Sequence, residues 1–320
     1  MTLFETIKQR RYKMDSVKYD VIIIGAGPAG LTSGIYLSRA KIKVLILDSG
    51  MAGGQMALTH EVANYPGYEG ISGYVLSMNM KNQAEKFGCD IKTNIRIDSM
   101  SLEGAEKKIT LANGDAFTAK SVIIATGGRS RKIGAIGEDE FAGRGISYCA
   151  TCDGDFFQDK EIIVVGGGNA ALEEAVALTT YASKLTIIHQ FDHWQAFESA
   201  VAEMEENPKI DYIMESRIVE FKGEQALKEV VIENIKTGEK YTKKIDGVFI
   251  FIGYEPRTED FAGVIKMNDY KEIIIDAYFE TNIEGVFAAG DCIHKKYRQI
   301  TTAVADGTNA ALNALEFLNK

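Results

Sequence analysis

The sequence Gly25-Ala26-Gly27-Pro28-Ala29-Gly30 decides the fold, because it joins an apolar strand, Tyr19 to Ile24, to a helical segment, Ala29 to Arg39. The first glycine permits a tight turn, the second lets a pyrophosphate approach the backbone, and the third lets the helix pack on the strand. The free N–H groups at the start of the helix favour phosphate binding. The motif therefore predicts a dinucleotide-binding unit.

The same pattern occurs twice in the chain. After the first helix, a second strand from Lys43 to Leu47 ends at Asp48, where a carboxylate can hold ribose hydroxyls. Strand, helix and strand recur around Gly166-Gly167-Gly168-Asn169-Ala170-Ala171, between Glu161 and Ile188. Repeated units of this kind predict doubly wound α/β folds, each copy heading its own domain.

Hairpin-like segments follow each unit. Residues Ile91 to Ala119 alternate around an Asn113–Gly114 turn signal, and Ile218 to Lys244 have a similar pattern. A helix from about Thr301 to Leu318 ends the sequence. Each nucleotide unit is therefore expected to carry an antiparallel insertion.

Composition excludes several classes of function. The 320 residues carry a net charge of -9, which disfavours non-specific nucleic-acid binding. No apolar run approaches the roughly 20 residues of a membrane span. No signal-peptide core follows the basic residues of positions 1–18. We therefore expect a cytoplasmic protein that binds neither nucleic acid nor membrane.

Redox chemistry is indicated by Cys149-Ala150-Thr151-Cys152-Asp153-Gly154, which holds two of the four cysteines. Two thiols three positions apart can close a disulfide, and exchange proceeds through a thiolate and a mixed disulfide. Asp153 is placed to exchange a proton with a departing thiolate. Zinc would need two further ligands at suitable spacing, which the sequence lacks, so no metal is predicted. A pair of inert buried thiols is the other interpretation.

Two shorter motifs complete the pattern. Ala125-Thr126-Gly127 follows an apolar strand, and Gly290-Asp291 follows the apolar segment 285–289. With these, the chain resembles the low-molecular-mass thioredoxin reductases over essentially its whole length. The matching strings are GAGPAG (25–30), GGQ (53–55), NYPG (64–67), ATG (125–127), CATCDG (149–154), GGGNAALEEA (166–175), AAGD (288–291) and RQ (298–299).

This resemblance implies an FAD enzyme with two Rossmann-like three-layer ββα dinucleotide-binding domains, the second inserted into the first. After a basic arm, 1–18, the FAD domain would comprise 19–130 and 254–320, and the NAD(P)H-like domain 131–253. Cys152 would lie against the flavin, Cys149 would exchange with thioredoxin, and Asp153 would be the acid–base residue. The resemblance also implies a homodimer. The residues expected at FAD are Gly25, Gly27, Pro28, Ala29, Gly30, Asp48, Gly54, Gln55, Asn64, Ala125, Thr126, Gly127, Gly290, Asp291, Arg298, Gln299 and Ile300.

The sequence departs from the NADPH-dependent members after the second nucleotide unit. Those members have His-Arg-Arg-x-x-x-Arg, whose arginines hold the 2′-phosphate, whereas residues 189–195 here read HQFDHWQ. Charged hydrogen bonds contribute about 1.5–3 kcal/mol each, so losing three would weaken NADPH binding on the order of a thousandfold. We therefore do not expect ordinary use of NADPH. NADH is not clearly favoured instead, because the strand Lys184 to Ile188 is followed by His189 and Gln190 and not by a carboxylate for the ribose diol. The intact glycine loop would be retained for its turn geometry.

The electron donor is the least determined feature. A subgroup with this pattern keeps FAD and the cysteine pair and takes electrons from reduced ferredoxin. Ferredoxins are usually acidic, so their docking surface should be basic. The candidates are an arm with Lys8, Arg10, Arg11 and Lys13, and a cluster of Lys295, Lys296 and Arg298. Three alternatives stay open: an NADH- or NADPH-dependent thioredoxin reductase, an FAD-dependent dithiol oxidase that uses oxygen, and a redox-sensing flavoprotein without turnover.

Overall fold

A computed structural model describes residues 16–59 and 62–320, and the chain divides into two compact units. The first unit contains 16–59, 71–128 and 256–320, and the second contains 62–70 and 129–255. The second unit is therefore inserted in the first as two segments, of which 129–255 is by far the longer. The predicted arm residues Lys8, Arg10, Arg11 and Lys13 lie outside the described residues.

The first unit is built on a parallel sheet whose central strands are fully buried runs of aliphatic residues, as expected of a sheet covered on both faces. Numbered in chain order, its strands lie in the spatial order Val286–Ala288 (β19), Ser121–Ile124 (β8), Val21–Ile24 (β2), Val44–Leu47 (β3) and Asp90–Lys92 (β4). A second sheet contains Val17–Lys18 (β1), Ala116–Ala119 (β7), Lys107–Leu111 (β6) and Ile97–Ser101 (β5). One apolar cluster, including Leu45, Ile109 and Phe117, joins the two sheets.

Three long helices belong to the first unit. They are Pro28–Arg39 (α1), Gly73–Lys86 (α2) and Ile300–Leu318 (α7). Helices α1 and α7 pack closely, because a Cβ at Gly307 would lie 2.2 Å from the carbonyl oxygen of Ala29. Ser33 Oγ also donates to the Gly307 carbonyl at 2.8 Å. The close contact holds the start of α1 firmly.

The second unit repeats this plan. Its parallel sheet has the order Ile146–Ser147 (β10), Gly247–Ile250 (β17), Glu161–Val165 (β11), Lys184–Ile188 (β12) and Ile210–Ile213 (β13). An antiparallel sheet contains Ser216–Gly223 (β14), Leu227–Asn234 (β15) and Lys240–Lys244 (β16). The helices are Glu138–Phe141 (α3), Ala150–Asp153 (α4), Asn169–Leu178 (α5) and Glu198–Glu205 (α6). Separate apolar clusters pack on its helical side and its antiparallel side.

Short elements complete the chain. Gly128–Ser130 (β9) pairs with Tyr254–Pro256 (β18) in a two-stranded sheet. The 3-10 helices are Gly54–Leu58, Gly154–Phe157, Glu259–Phe261 and Gly290–Cys292. Both larger units thus combine a helical layer, a parallel sheet and a second sheet, which is antiparallel in the second unit and antiparallel except for the parallel β1–β7 pair in the first. The predicted fold class, two Rossmann-like dinucleotide-binding folds with the second inserted into the first, is confirmed.

Candidate nucleotide and disulfide sites

The glycine turn of the first unit lies between β2 and α1, and its three glycines have different surroundings. Gly25 has a φ of +111°, and a Cβ there would lie 2.2 Å from the carbonyl oxygen of Ala125. A Cβ at Gly30 would lie 1.9 Å from the carbonyl oxygen of Gly25, whereas a Cβ at Gly27 would meet nothing within 4 Å. Packing therefore requires the first and third glycines, and the second leaves open space at the start of α1.

That open space suits a phosphate. Gly27 is the N-cap residue of α1, Pro28 follows at the start of the helix, and no side chain bonds the first free N–H groups. Unpaired N–H groups and the positive end of the helix dipole attract anions. Asp48 accepts hydrogen bonds from Ala26 N at 2.5 Å and Gly50 N at 2.7 Å. Because a carboxylate can accept further bonds, Asp48 can fix the turn and still bind ribose hydroxyls.

The predicted Gly-Gly-Gln motif borders this turn. Gly53 N donates to the Ala26 carbonyl at 2.7 Å. A Cβ at Gly54 would lie 3.4 Å from Gly27 Cα, and Gln55 is exposed on the following 3-10 helix. The sheet topology therefore brings two motifs that are separate in sequence to one edge of the parallel sheet.

The Ala-Thr-Gly motif lies on the other side of the turn. Ala125 N donates to the Ile24 carbonyl at 2.7 Å, which continues the pairing of β8 with β2. Thr126 Oγ1 donates to the Arg257 carbonyl at 2.6 Å, and Arg257 N donates to the Gly127 carbonyl at 2.9 Å. These bonds hold the motif against the Gly25 turn.

The Gly290–Asp291 pair is brought to the start of α1. A Cβ at Gly290 would lie 2.9 Å from Ala29 Cβ. Gly290 N donates to Asp306 Oδ2 at 3.2 Å, and Lys295 Nζ lies 2.5 Å from the same oxygen and 3.8 Å from Asp291 Oδ1. Lys295 therefore links the predicted flavin-binding carboxylate to α7. Sequence reasoning assigned this lysine to a docking surface instead.

The remaining predicted FAD residues precede and begin α7. Ile300 is its first residue, and Gln299 is the N-cap residue, whose side chain bonds the third residue of the helix. Thr302 Oγ1 returns the bond by accepting from Gln299 N at 3.1 Å. Arg298 pairs with the buried carboxylate of Glu272. Their predicted contacts with FAD stay predictions.

The predicted basic docking cluster is wrong for two of its three members. The Lys295 side chain is 12% exposed and pairs with Asp306. Arg298 is 24% exposed and pairs with Glu272. Only Lys296 is exposed, with its Nζ 5.1 Å from the ring centroid of Tyr297. Carboxylates compensate these two half-buried cations, so the cluster does not form a strongly basic surface.

Cys149 and Cys152 form a disulfide in the second unit, with their Cα atoms 5.3 Å apart. Both are half-buried, and Cys149 is the N-cap residue of α4. Thr151 Oγ1 lies 3.5 Å from Cys149 Sγ, and Asn64 Nδ2 donates to the Thr151 carbonyl at 3.4 Å. The segment 62–70 thus contacts the disulfide helix, whereas the sequence-based boundaries placed Asn64 in the FAD domain.

The other two cysteines are buried free thiols. Burial raises the pKa of Cys89 to about 12 and that of Cys292 to about 11. Thiolate is the reactive form, so neither residue is suited to exchange at neutral pH. Redox chemistry is therefore assigned to the disulfide pair.

Asp153 lies directly after Cys152, and a hydrogen bond from Ser147 holds its carboxyl. Ser147 Oγ donates to Asp153 Oδ2 at 2.6 Å. Burial raises the pKa of Asp153, the bond from Ser147 opposes that rise, and the charge of Asp155 adds to it. A carboxyl with a raised pKa next to a disulfide can hold the proton that a leaving thiolate needs.

A second carboxylate anchors the chain just before Cys149. Buried Glu138 accepts hydrogen bonds from Tyr148 OH at 2.9 Å, Gly134 N at 2.8 Å and Ile133 N at 3.2 Å. The contact with Glu138 and burial both raise the pKa of Tyr148, burial more strongly, so the phenol stays a donor. Sequence reasoning missed this anchor, because Glu138 lies among other acidic residues with no motif around it.

The glycine loop of the second unit has the same turn as that of the first unit, but different residues surround it. Gly166 has a φ of +144°, and a Cβ there would lie 2.4 Å from the Phe251 carbonyl oxygen. A Cβ at Gly167 would lie 2.4 Å from the ring of buried His189. Gln195 N donates to the Gly167 carbonyl at 2.8 Å. An imidazole therefore stands where the first unit has the Asp48 carboxylate.

Gln190, Phe191 and Gln195 occupy the three arginine positions of the NADPH-dependent members. All three are exposed, and none is basic. Phe191 stacks on His193, whose Nδ1 lies 2.8 Å from Asp192 Oδ1. Lys236, from the β15–β16 connection, acts electrostatically on Asp192, but it pairs with Glu215. Sequence reasoning missed this lysine, because it reaches the loop from a distant hairpin.

Two absences hold for the described part of the chain. Residues 16–59 and 62–320 contain no group of three or more His, Cys, Asp or Glu side chains arranged to hold a metal ion. Among the helices in the same ranges, none combines the length and apolarity that crossing a bilayer requires.

Two dinucleotide-type folds, one of which carries a Cys-x-x-Cys disulfide, define an oxidoreductase that acts on disulfides. The family comparison agrees with this class. The chain belongs to the pyridine nucleotide-disulphide oxidoreductase family, whose model matches residues 19–307. Membership implies FAD, and the open turn at Gly27, the uncapped start of α1 and Asp48 fit its pyrophosphate and ribose.

Individual relatives cover almost the full chain. A thioredoxin reductase of Peptoclostridium acidaminophilum is 44% identical over 309 residues, which are 94% of this chain and 97% of the relative. The "34.2 kDa protein in rubredoxin operon" of Clostridium pasteurianum is 44% identical over 299 residues, which are 93% and 97% of the two chains. The crystal structure of thioredoxin reductase from Streptococcus pyogenes superposes with a TM-score of 0.91 at 39% identity, covering 95% of this chain and 99% of that one.

Proposed function

We propose that the protein is an FAD-dependent thioredoxin-disulfide reductase. The observation that carries the proposal is the half-buried Cys149–Cys152 disulfide with the Asp153 carboxyl held next to it. The relatives from Peptoclostridium and Streptococcus, both named thioredoxin reductase, support the same substrate. The open glycine turn of the first unit supports FAD as the cofactor.

FAD, when bound, supplies the electron pair that reduces the disulfide. Cys152 is the sulfur that receives the pair, the S–S bond breaks, and Cys149 leaves as a thiolate. Cys149 then attacks the disulfide of thioredoxin, and a mixed disulfide forms. Cys152 displaces reduced thioredoxin and restores the internal disulfide. Asp153 holds or returns the proton of the departing sulfur, so two electrons and two protons reach thioredoxin in each cycle.

We further propose that reduced ferredoxin, in two one-electron transfers, is the donor. The support is the second unit, where glutamine and phenylalanine occupy the arginine positions and Asp192 adds negative charge. Lys236 does not replace the arginines, because Glu215 compensates it. A nicotinamide-dependent reductase is the second candidate, favoured by the retained turn at Gly166.

Anaerobic flavin bleaching tests the donor. The oxidised protein is mixed with reduced ferredoxin, NADH or NADPH in turn, and flavin absorbance is followed. We expect rapid bleaching with ferredoxin and slow or no bleaching with either nicotinamide. Stoichiometric bleaching by NADPH within seconds would overturn the ferredoxin assignment. Oxygen consumption with a small dithiol, without thioredoxin turnover, would instead identify a dithiol oxidase.

The substrate is tested with a pair of cysteine variants. Cys149→Ser removes the exchange thiol, so thioredoxin turnover should fall by at least about a thousandfold while the flavin is still reduced by its donor. Cys89→Ala removes a buried thiol outside the disulfide and should retain turnover. Normal turnover in Cys149→Ser would contradict the assigned role of the disulfide.

The proposed substrate also bears on where the protein works and how it assembles. We propose a cytoplasmic homodimer, since a reductase of thioredoxin works where thiols are kept reduced. Light scattering on the purified flavoprotein measures the assembly state, and a monomeric mass would contradict the dimer.

A further inference from the structure

Ser147 ends β10, two residues before Cys149, and is 4% exposed. Its Oγ lies 2.6 Å from Asp153 Oδ2, 3.1 Å from Cys149 N and 3.2 Å from the Cys149 carbonyl oxygen. A hydroxyl has one proton to donate, and an ionised carboxylate at the shortest distance is the strongest acceptor. While Asp153 is ionised, Ser147 therefore donates to it and accepts from Cys149 N.

We propose that Ser147 is a positioning residue for thiol–disulfide exchange, which holds the Asp153 carboxyl and the Cys149 backbone in one fixed arrangement. The inference rests on the proposed function, because it concerns the acid–base step of the same disulfide. It assigns a role to a residue outside the Cys-x-x-Cys-Asp motif.

The Ser147 hydroxyl also links the protonation state of Asp153 to the backbone of Cys149. When Asp153 takes up a proton, its carboxyl becomes a donor toward Ser147 Oγ. The serine proton is then available to the Cys149 carbonyl oxygen, 3.2 Å away. The protonation state of the acid is thus transmitted to the residue that carries the exchange sulfur.

The surroundings of Asp153 contain few competing groups. Within the described chain, Asp155 of the following 3-10 helix is the charged side chain that acts on Asp153, and it disfavours the ionised carboxyl as burial does. The Ser147 hydroxyl is the group that favours the ionised form. Removing the hydroxyl should therefore raise the pKa of Asp153 further and leave its carboxyl free to move.

The test uses the full-length holoenzyme and dithiothreitol, so that neither an electron donor nor thioredoxin is needed. Dithiothreitol attacks Cys149, Cys152 leaves and takes a proton, and the reagent closes to its cyclic disulfide. The free thiols are counted by alkylation and mass spectrometry between pH 5 and 9. Each variant is compared with the parent protein at every pH, so that the ionisation of the reagent cancels.

Ser147→Ala should slow reduction about tenfold at pH 7 and move the pH dependence due to Asp153 to higher pH. Ser147→Thr restores a hydroxyl and should stay within about twofold of the parent. Asp153→Asn removes the titrating group and leaves only the hold of Ser147 on the Cys149 backbone, so Ser147→Ala should have a clearly smaller effect in that background.

Two results would overturn the inference: an unchanged pH dependence in Ser147→Ala, or an equal loss with and without Asp153. The second result would indicate a purely structural role. Failure of the proposed function would look different, because thioredoxin turnover would be missing with every donor while the dithiothreitol measurements kept their pattern.

Discussion

The glycine loops of the two units have the same turn and different surroundings. In each, the first glycine has a positive φ, and an added Cβ would strike a carbonyl oxygen, 2.2 Å away at Gly25 and 2.4 Å away at Gly166. The strand that comes next is followed directly by Asp48 in the first unit and by buried His189 in the second. The first loop therefore faces a carboxylate, and the second packs on an imidazole.

This difference separates what the fold needs from what a ligand needs. Steric contact with the residue that follows the neighbouring strand requires the first glycine in both units, whether or not a nucleotide binds. Recognition depends on groups after the second strand, which only the first unit supplies in the expected form. An intact glycine motif is therefore evidence for a turn, and the residues beyond it are evidence for a ligand.

The largest expected effect comes from filling the open space of the first loop. Gly27 has a backbone conformation that valine also adopts, φ −75° and ψ −176°, and a Cβ there would meet no protein atom within 4 Å. Gly27→Val is therefore compatible with the fold. It should block phosphate approach and weaken FAD binding on the order of a hundredfold or more, measured by flavin content and titration.

Gly168→Val is the matched control in the second unit. Its backbone is equally ordinary, φ −93° and ψ 174°, and a Cβ would lie 3.8 Å from the Gln195 carbonyl oxygen. If the second loop serves only the fold, flavin content and turnover with ferredoxin should stay within about twofold of the parent. Loss of turnover in this variant would show that the second unit binds a ligand needed for catalysis.

An intermediate effect is expected from restoring cations to the second loop. Gln190→Arg, Phe191→Arg and Gln195→Arg together should increase flavin reduction at low NADPH concentration by at least about tenfold, because each charged hydrogen bond to phosphate contributes about 1.5–3 kcal/mol. NADH lacks the 2′-phosphate and is the internal control. An equal gain with both nucleotides would contradict phosphate recognition as the cause.

The smallest effect concerns the residue that replaces the carboxylate. Burial lowers the pKa of His189 below its ordinary 6.5. The folded state therefore binds the proton less tightly than the unfolded state, and stability falls as pH drops below that value. The melting temperature should fall further between pH 7.5 and pH 5.5 in the parent than in His189→Phe. Identical losses would indicate that other groups control acid stability.

Much of this fold is predictable from the sequence because its signals are local. The strand Lys184–Ile188 has the predicted bounds, and α1 begins one residue before its predicted start. The disulfide pair and the glycine turn are likewise contained within short stretches. Apolar runs and glycine spacing carry this information without knowledge of tertiary contacts.

The unpredicted features depend on residues distant in sequence. The sequence indicates a surface cation at Lys295, but α7 brings Asp306 to it. The Glu138–Tyr148 bond likewise joins a residue of α3 to one in the connection after β10. Lys236 reaches Asp192 from a hairpin that follows much later in the chain. No local pattern encodes such pairs, because charge compensation is decided only when the elements pack.

The paired strands β9 and β18 have a consequence for how such enzymes diversify. Arg131 N donates to the Gly253 carbonyl at 3.0 Å, and Glu255 bonds Arg131 at 3.0 Å, so both ends of the segment 129–255 leave through one double-stranded stem. For the host fold, a long segment closed in this way resembles a short hairpin, with a correspondingly small loop-closure entropy. The segment can therefore change in sequence during evolution, including the residues that select the electron donor, while the first unit keeps its fold.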